Sequence, residues 1–178
     1  MFSATALSAK CDGTSLPQND PTPGAIVDLI ERCQQAKEYS YNRYSNFRVG
    51  AALLCQDGTI YTGCNVENAS YGLTICAERT AIFKAVSEGH RKFTAIAISS
   101  DVVHEFISPC GACRQVFVEF GVDWDVFMTK PDLTYKRMKT GELLPFCFAP
   151  ESFEQHRVLL PCFGCVNDTS CVFKKTKK

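Results

Sequence analysis

Two of the helices predicted for this chain begin at a cysteine, and each follows a short apolar segment of strand type. The first helix begins near Cys76, after the segment 60–66, and the second begins near Cys110, after the segment 93–98. Strand–helix–strand connections of this length favour parallel crossovers, with helices that cover both faces of a sheet. Helices that follow neighbouring strands of such a sheet begin at the same edge, where ligand sites form. The sequence therefore predicts an α/β fold that brings cysteines together at one sheet edge.

The remaining elements are predicted from hydrophobic periodicity and turn residues. One helix begins at Pro21 and Pro23, and the two later helices end at Gly89 and Gly121, where glycine suits the left-handed cap. The turn at 57–58 predicts a hairpin, and the strand-like segments are 49–55, 60–66, 93–98, 125–129 and 135–138. Because the hairpin is antiparallel, the sheet is mixed. The expected architecture is a three-layer α/β/α sandwich with a mixed five-stranded sheet.

Length and composition indicate one domain. The chain has 178 residues, of which 46% are apolar, and its 19 basic residues balance 19 acidic ones. We expect a mobile leader over residues 1–20, a domain over 21–154 and a flexible tail with cysteines and lysines over 155–178. Neutral charge argues against a nucleic acid partner, and the lack of a run of about 18 apolar residues argues against a membrane. The N-terminus does not resemble a secretory signal, so we expect a cytoplasmic protein, with the nucleus as a further compartment.

Eleven cysteines in a chain of this size indicate reduced thiols and metal ligands, because their number is odd and the chain can fold without disulfides. Cys76, Cys110 and Cys113 stand at helix starts, where free amides and the helix dipole stabilise thiolates. Three thiolates suit Zn²⁺, and a three-ligand site leaves a position for water, as in catalytic zinc sites. We therefore expect one Zn²⁺ per subunit. Glu78 is placed to move a proton, and Arg79 is placed to compensate for the charge of the thiolates.

The other cysteines have simpler interpretations. Cys33, Cys55, Cys64 and Cys147 lie inside apolar patterns and are expected to be packing residues. A second zinc site in the tail is the alternative to a mobile, reduced tail; its four ligands would be His156, Cys162, Cys165 and Cys171.

Around the cysteines at the two helix starts, the sequence resembles the small, three-cysteine cytidine deaminases. The similarity lies in C-A-E-R-T-A at 76–81 and P-C-G-A-C-R-Q at 109–115, and it extends to segments at 47–54, 63–69 and 128–132. It covers roughly residues 24–154. The resemblance implies the cytidine deaminase fold and the hydrolytic deamination of free cytidine and deoxycytidine in pyrimidine salvage, by a homotetramer. In the implied mechanism, zinc-bound hydroxide attacks C4 of the pyrimidine while Glu78 moves the protons.

The resemblance also implies a substrate-binding set, which consists of Phe47, Asn65, Glu67, Tyr71, Ala77 and Phe148. Asn65 and Glu67 match residues that hold the ribose hydroxyls. At i and i+2 of a strand they would face the same side, and an amide with a carboxylate can hold a hydroxyl as donor and acceptor. Phe47 matches the aromatic residue that packs on the pyrimidine. Tyr71 and Phe148 match positions that reach the site of a neighbouring subunit.

Three other functions are compatible with the zinc motif. One is a deaminase of nucleic acids, which requires a positive channel that the neutral composition does not favour. Another is a deaminase of a nucleoside antibiotic or a modified base, against which the match at Asn65 and Glu67 argues. The third is a structural zinc module that binds partners, and it predicts a fourth protein ligand and tolerance of Glu78→Gln.

Overall fold

A computed structural model describes residues 20–153, in two units that divide after Phe148. The first unit contains, in chain order, α1 (Pro23–Lys37), β1 (Val49–Cys55), β2 (Ile60–Cys64), a 3₁₀ turn (Tyr71–Leu73), α2 (Ala77–Ser87), β3 (Phe93–Ser100), α3 (Gly111–Glu119), β4 (Asp125–Thr129), β5 (Tyr135–Lys139) and α4 (Thr140–Leu143). The described part of the second unit contains a 3₁₀ turn, Pro150–Phe153. Residues 1–19 of the predicted leader, residue 154 of the predicted domain and the whole predicted tail, 155–178, with its candidate second zinc site, lie outside the described residues.

The five strands form one mixed sheet in the order β2-β1-β3-β4-β5, which confirms the predicted sheet. β1 is antiparallel to both β2 and β3, β4 is parallel to β3, and β5 is antiparallel to β4. β2 and β3 are therefore not neighbours, since β1 lies between them, but they run in the same direction. Because β2 leads into α2 and β3 leads into α3, both helices begin at the same edge of the sheet.

Helices cover both faces of the sheet, as predicted. On one face, α1 contributes Leu29, Ile30 and Cys33 to a core cluster with alternate residues of β1 and β3. On the other face, α2 and α3 pack on the opposite alternation of the same strands, with Ile82 and Phe117 fully buried. Burial of this apolar surface is the main stabilising contribution to the sandwich, at roughly 25 cal/mol per Å².

α1 begins at Pro23, one of the two prolines that predicted its start. Thr22 is the N-cap, and its hydroxyl accepts a hydrogen bond of 3.3 Å from the amide of Ala25, while Pro23 occupies the first helical position. Within residues 20–153, no helix is both long enough and apolar enough to span a bilayer.

Two predicted boundaries need correction. β2 ends at Cys64 and not at Val66, because the backbone of Val66 leaves β1 and forms isolated bridges with Tyr41 and Ile75. β3 continues past Ile98 to residue 100, where buried serines replace apolar side chains. The four-residue helix α4 was not predicted, since so short a segment carries no periodicity.

Candidate active site

The N-terminal ends of α2 and α3 place the cysteines at one sheet edge. Cys76 is the N-cap of α2 and Cys110 is the N-cap of α3, and both have extended backbone angles. Neither side chain caps its own helix, so both sulfurs are available to a ligand. α2 approaches β2 closely at Gly63, where an added Cβ would lie 2.5 Å from the carbonyl oxygen of Ala77. Glycine at this position therefore allows the start of α2, which carries Cys76, to pack this close to β2.

The three predicted cysteines lie at the spacing that zinc requires. The Sγ atoms of Cys76 and Cys110 are 3.8 Å apart, those of Cys110 and Cys113 are 3.6 Å apart, and all three lie within 4.8 Å of one another. Two sulfurs bound to one zinc at about 2.3 Å in tetrahedral geometry are separated by about 3.8 Å. The donor set thus fits Zn²⁺. Among residues 20–153, no fourth His, Cys, Asp or Glu atom joins this group, which argues against the closed site of a structural zinc module.

Electrostatics at the cluster favour a thiolate at Cys76. The hydrogen bond from the neighbouring Cys113 thiol lowers the pKa of Cys76 to about 5, and the Arg79 guanidinium contributes to the same shift. Nη2 of Arg79 lies 3.5 Å from the sulfur of Cys76 and 3.4 Å from the carbonyl oxygen of Thr74. Its Nε is buried, and no atom of the described residues accepts its hydrogen. Arg79 was predicted to compensate for the charge of the thiolates, and its guanidinium lies close enough to the Cys76 sulfur for that role.

Glu78 lies in the first turn of α2 and is almost fully buried, with 4% of its surface exposed. Burial raises the pKa of its carboxyl group to about 7, because a carboxylate loses its hydration there, and the negative charge of Cys76 acts in the same direction. A hydrogen bond with Cys113 opposes the shift. A carboxyl group with this pKa exchanges protons readily near neutral pH, which is the requirement for acid–base catalysis.

Asn65 lies beyond the end of β2, and most of its hydrogen bonds are made with the segment that precedes and begins β1. Its Oδ1 accepts hydrogen bonds from the amide of Val49 at 2.9 Å and from the hydroxyl of Ser40 at 2.5 Å, and its Nδ2 donates to the carbonyl of Phe47 at 2.9 Å. An Asn amide can make four hydrogen bonds, and three of them are made here. One N–H of Asn65 therefore remains for a further partner. The strand-face argument for Asn65 and Glu67 was therefore wrong, because both residues follow the strand.

Glu67 is held by the loop that precedes β1. Its carboxylate accepts hydrogen bonds from the hydroxyl and amide of Ser45 and from the amide of Tyr44. The hydrogen bond from the Ser45 hydroxyl is the main cause that lowers the pKa of Glu67, so the side chain is an ionised acceptor at neutral pH. Glu67, Tyr44, Ser45, Tyr71 and Thr74 line a recess of about 380 Å³.

Backbone contacts connect this recess to the cysteine cluster. Val66, which lies between Asn65 and Glu67, exchanges two hydrogen bonds with Ile75, the residue before Cys76. Thr74 lines the recess, and its carbonyl accepts from the Arg79 guanidinium that touches the Cys76 sulfur. The structure thus places the candidate sugar-binding residues next to the candidate metal site.

Comparison with known proteins agrees with this arrangement. The model of the cytidine and deoxycytidylate deaminase zinc-binding region matches residues 25–129. The chain belongs to the cytidine deaminase family. It is 54% identical over 126 residues to a probable cytidine deaminase of Dictyostelium discoideum, which covers 71% of this chain and 85% of the relative. A cytidine deaminase of Sporosarcina psychrophila is 49% identical over 127 residues, with 71% and 93% covered. The crystal structure of cytidine deaminase from Burkholderia pseudomallei has a TM-score of 0.66 at 49% identity, covering 68% of this chain and 98% of that one.

The remaining residues matched to the family differ in how far they are exposed. Ala77 is fully buried at the first position of α2, and Phe47 is 38% exposed on the loop before β1. Tyr71 is 74% exposed, and its ring meets that of Tyr44 edge-on at 5.8 Å. Phe148 is also exposed, and its carbonyl accepts a hydrogen bond from Gln115.

Sequence reasoning missed the residues that position the predicted ones. Ser45 and Tyr44 fix the Glu67 carboxylate, and Ser40 fixes the Asn65 amide. These residues lie in a loop without periodicity, more than 20 positions from their partners. The only signal in the sequence was the density of hydroxyl and aromatic side chains between residues 39 and 47.

Proposed function

We propose that this chain catalyses the hydrolytic deamination of free cytidine and deoxycytidine to uridine and deoxyuridine, with release of ammonia. The observation that carries the proposal is the cluster of three sulfurs at zinc spacing beside a buried carboxyl group with a pKa of about 7. The similarity to proteins named cytidine deaminase over the same residues supports the choice of substrate.

In this proposal, Cys76, Cys110 and Cys113 hold one Zn²⁺ per subunit. Zinc in such a site acts as a Lewis acid that lowers the pKa of a bound water from about 16 towards 7. Three thiolates donate more charge than three imidazoles would and weaken that effect. Arg79 offsets this excess of negative charge, because its guanidinium lies 3.5 Å from the Cys76 sulfur and partly neutralises the thiolate.

Glu78 moves the protons. It accepts one from the attacking water and delivers it to N3 of the pyrimidine as the oxygen adds to C4. It then takes the proton of the new C4 hydroxyl and passes it to the amino group. The C4–N bond breaks as the C4 carbonyl forms, and ammonia leaves, so that one water is consumed for each amine released. The burial of Glu78 keeps its pKa close to 7, so the side chain can both accept and donate a proton near neutral pH.

The recess beside the cluster binds the sugar in this proposal. The ionised Glu67, held open by Ser45 and Tyr44, accepts hydrogen bonds from ribose hydroxyls. Asn65 contributes its remaining N–H and also fixes the backbone of Phe47, whose ring would pack on the pyrimidine. Ala77, at the first position of α2, supplies backbone polar groups to the base.

We further propose that the active form is a homotetramer. Tyr71 and Phe148 are both strongly exposed in the single chain, as expected if they contact the site of a neighbouring subunit. The reaction would belong to pyrimidine salvage, because its substrate is a free nucleoside. A reducing, cytoplasmic location is supported by the seven described cysteines, all of which are free.

The test is a deamination assay with metal quantified in the same samples. The wild-type protein should lower cytidine absorbance and release one ammonia per cytidine, with little action on single-stranded DNA or RNA. Cys113→Ser should lose zinc and activity, whereas Cys147→Ser, a control at a half-buried cysteine outside the cluster, should keep both. Zinc-loaded protein without cytidine deamination would refute the proposal, and an active monomer in light scattering would refute the tetramer.

A further inference from the structure

A second group of metal-binding side chains lies at the opposite edge of the sheet. It consists of Cys55, Asp57 and His90, whose ligand atoms all lie within 4.8 Å of one another. β1 ends at Cys55 and is antiparallel to β2, so this end of β1 lies beside the start of β2, away from Cys76. The two groups of ligands are therefore separated by the length of the β strands.

The hairpin between β1 and β2 fixes two of the three side chains. Gly58 adopts φ +90°, and the turn is closed by backbone hydrogen bonds between Cys55 and Gly58 and between Cys55 and Thr59. Oδ1 of Asp57 accepts from the amide of Thr59 at 3.0 Å. The other oxygen of this carboxylate, Oδ2, is the one that lies near His90. Cys55 and Asp57 are thus held in place before any ligand binds.

The end of α2 fixes the third side chain. His90 follows Gly89, which has φ +96°, and its amide donates to the carbonyl of Ala85 at 3.0 Å, which terminates the helix. The imidazole packs against the ring of Tyr61 with centroids 5.3 Å apart. Nδ1 of His90 lies 3.3 Å from Oδ2 of Asp57.

We propose that Cys55 Sγ, Asp57 Oδ2 and His90 Nδ1 form a second Zn²⁺ site, distinct from the three-cysteine site. A nitrogen and an oxygen bound to one tetrahedral zinc at about 2.0–2.2 Å are separated by about 3.4 Å, close to the observed 3.3 Å. The Cys55 sulfur lies within 4.8 Å of a ligand atom of each of the other two residues. One sulfur, one nitrogen and one carboxylate oxygen form a donor set suited to zinc.

Charge balance also favours a dication at this site. A cysteine binds zinc as a thiolate, so the Cys55 thiol gives up its proton when the metal binds. Zinc binding forms the zinc–sulfur bond and releases that proton to solvent. The thiolate and the Asp57 carboxylate then neutralise the ion, and His90 supplies a ring nitrogen.

Zinc at this position would tie the β1–β2 hairpin to the C-terminal end of α2. The N-terminal end of the same helix carries Cys76 and Glu78. The second ion would thus stabilise the helix that positions the candidate catalytic residues without taking part in the reaction. The simpler interpretation of the group is an ion pair between Asp57 and His90 beside a packed thiol, and it predicts no second metal.

Equilibrium dialysis of the full-length protein against Zn²⁺, followed by metal quantification, separates the two interpretations. We expect two zinc ions per wild-type chain and one in Cys55→Ala and in His90→Ala, both of which should still deaminate cytidine. Cys33→Ala is the matched control, because Cys33 is equally buried but belongs to no ligand group among the described residues. This variant should keep two ions.

Cobalt gives an independent readout. Co²⁺ added to wild-type protein that holds a single equivalent of zinc, in the three-cysteine site, should produce a thiolate-to-cobalt charge-transfer band. The band should be absent from Cys55→Ala and weakened in Asp57→Asn, which retains the turn but loses the charge. Saturation of the wild type at one zinc would overturn the proposal. It would equally be overturned if the second ion survived in both Cys55→Ala and His90→Ala and disappeared in a Cys162→Ala, Cys165→Ala double variant, since the ion would then belong to the tail.

Discussion

Gly63→Ala should lower the rate of deamination, although Gly63 is not itself a residue of the candidate active site. An added Cβ would lie 2.5 Å from both the carbonyl oxygen of Ala77 and the amide nitrogen of Ala81, whereas ordinary contact begins at 3.4 Å. β2 and α2 must therefore separate by about 0.9 Å. Overpacking of this kind costs about 1–3 kcal/mol of unfolding free energy. A displacement of about 1 Å at the start of α2 also moves Cys76 and Glu78, and such misplacement can lower the rate about 10²-fold.

The matched control for this variant is Leu29→Ala. Leu29 is fully buried in α1, on the opposite face of the sheet, and its truncation costs about 2–5 kcal/mol. Urea unfolding would measure stability, and cytidine turnover per folded, zinc-loaded subunit would measure activity. We expect both variants to be destabilised and only Gly63→Ala to lose kcat. Equal kcat in the two variants would refute the reasoning that the close packing at Gly63 positions the site.

Two further predictions concern the loop and the surface near the sheet. Ser45→Ala should raise KM for cytidine by about three- to tenfold with little change in kcat, because Glu67 loses a hydrogen bond that positions it; a change confined to kcat would contradict this. The hydrogen bond from Arg48 is the main cause that lowers the pKa of Asp101, and Lys37, whose Nζ lies 3.0 Å from the carboxylate, acts in the same direction. The stabilising effect of Asp101 is therefore present above about pH 4 and is lost as the pH falls further. Asp101→Asn should therefore cost up to about 1 kcal/mol at pH 7, and the difference from wild type in urea unfolding should narrow from pH 5 to pH 3. A constant difference across that range would exclude the ion pair as its cause.

The cysteine cluster was predictable from the sequence because its geometry is local to two helix starts. A cysteine at the N-cap followed three residues later by another places both sulfurs in one helical turn, as at Cys110 and Cys113. The strand–helix–strand connections also predicted correctly that α2 and α3 begin at the same edge of the sheet, although β1 lies between β2 and β3. That insertion does not alter the result, since a strand antiparallel to both neighbours leaves them parallel to each other.

The sugar-binding recess was not predictable in the same way. The sequence suggested a strand face for Asn65 and Glu67, but the chain leaves β1 at Val66 and their side chains bind a loop more than 15 residues earlier. Periodicity carries no information about such a loop. The group at Cys55 was hidden for a related reason: Cys55 ends an apolar strand, and His90 comes 35 positions later, so only the fold brings them together.

Glu78→Gln tests the central claim most directly, because it replaces the proposed proton carrier with a side chain of the same shape. The measurement is kcat for cytidine deamination with zinc content and circular dichroism determined on the same samples, beside Glu119→Gln at an exposed position of α3. We predict wild-type zinc content and fold in both variants, full activity in Glu119→Gln, and a loss of at least about 10²–10⁴-fold in Glu78→Gln. A Glu78→Gln enzyme that deaminates cytidine within a few-fold of wild type would contradict the account.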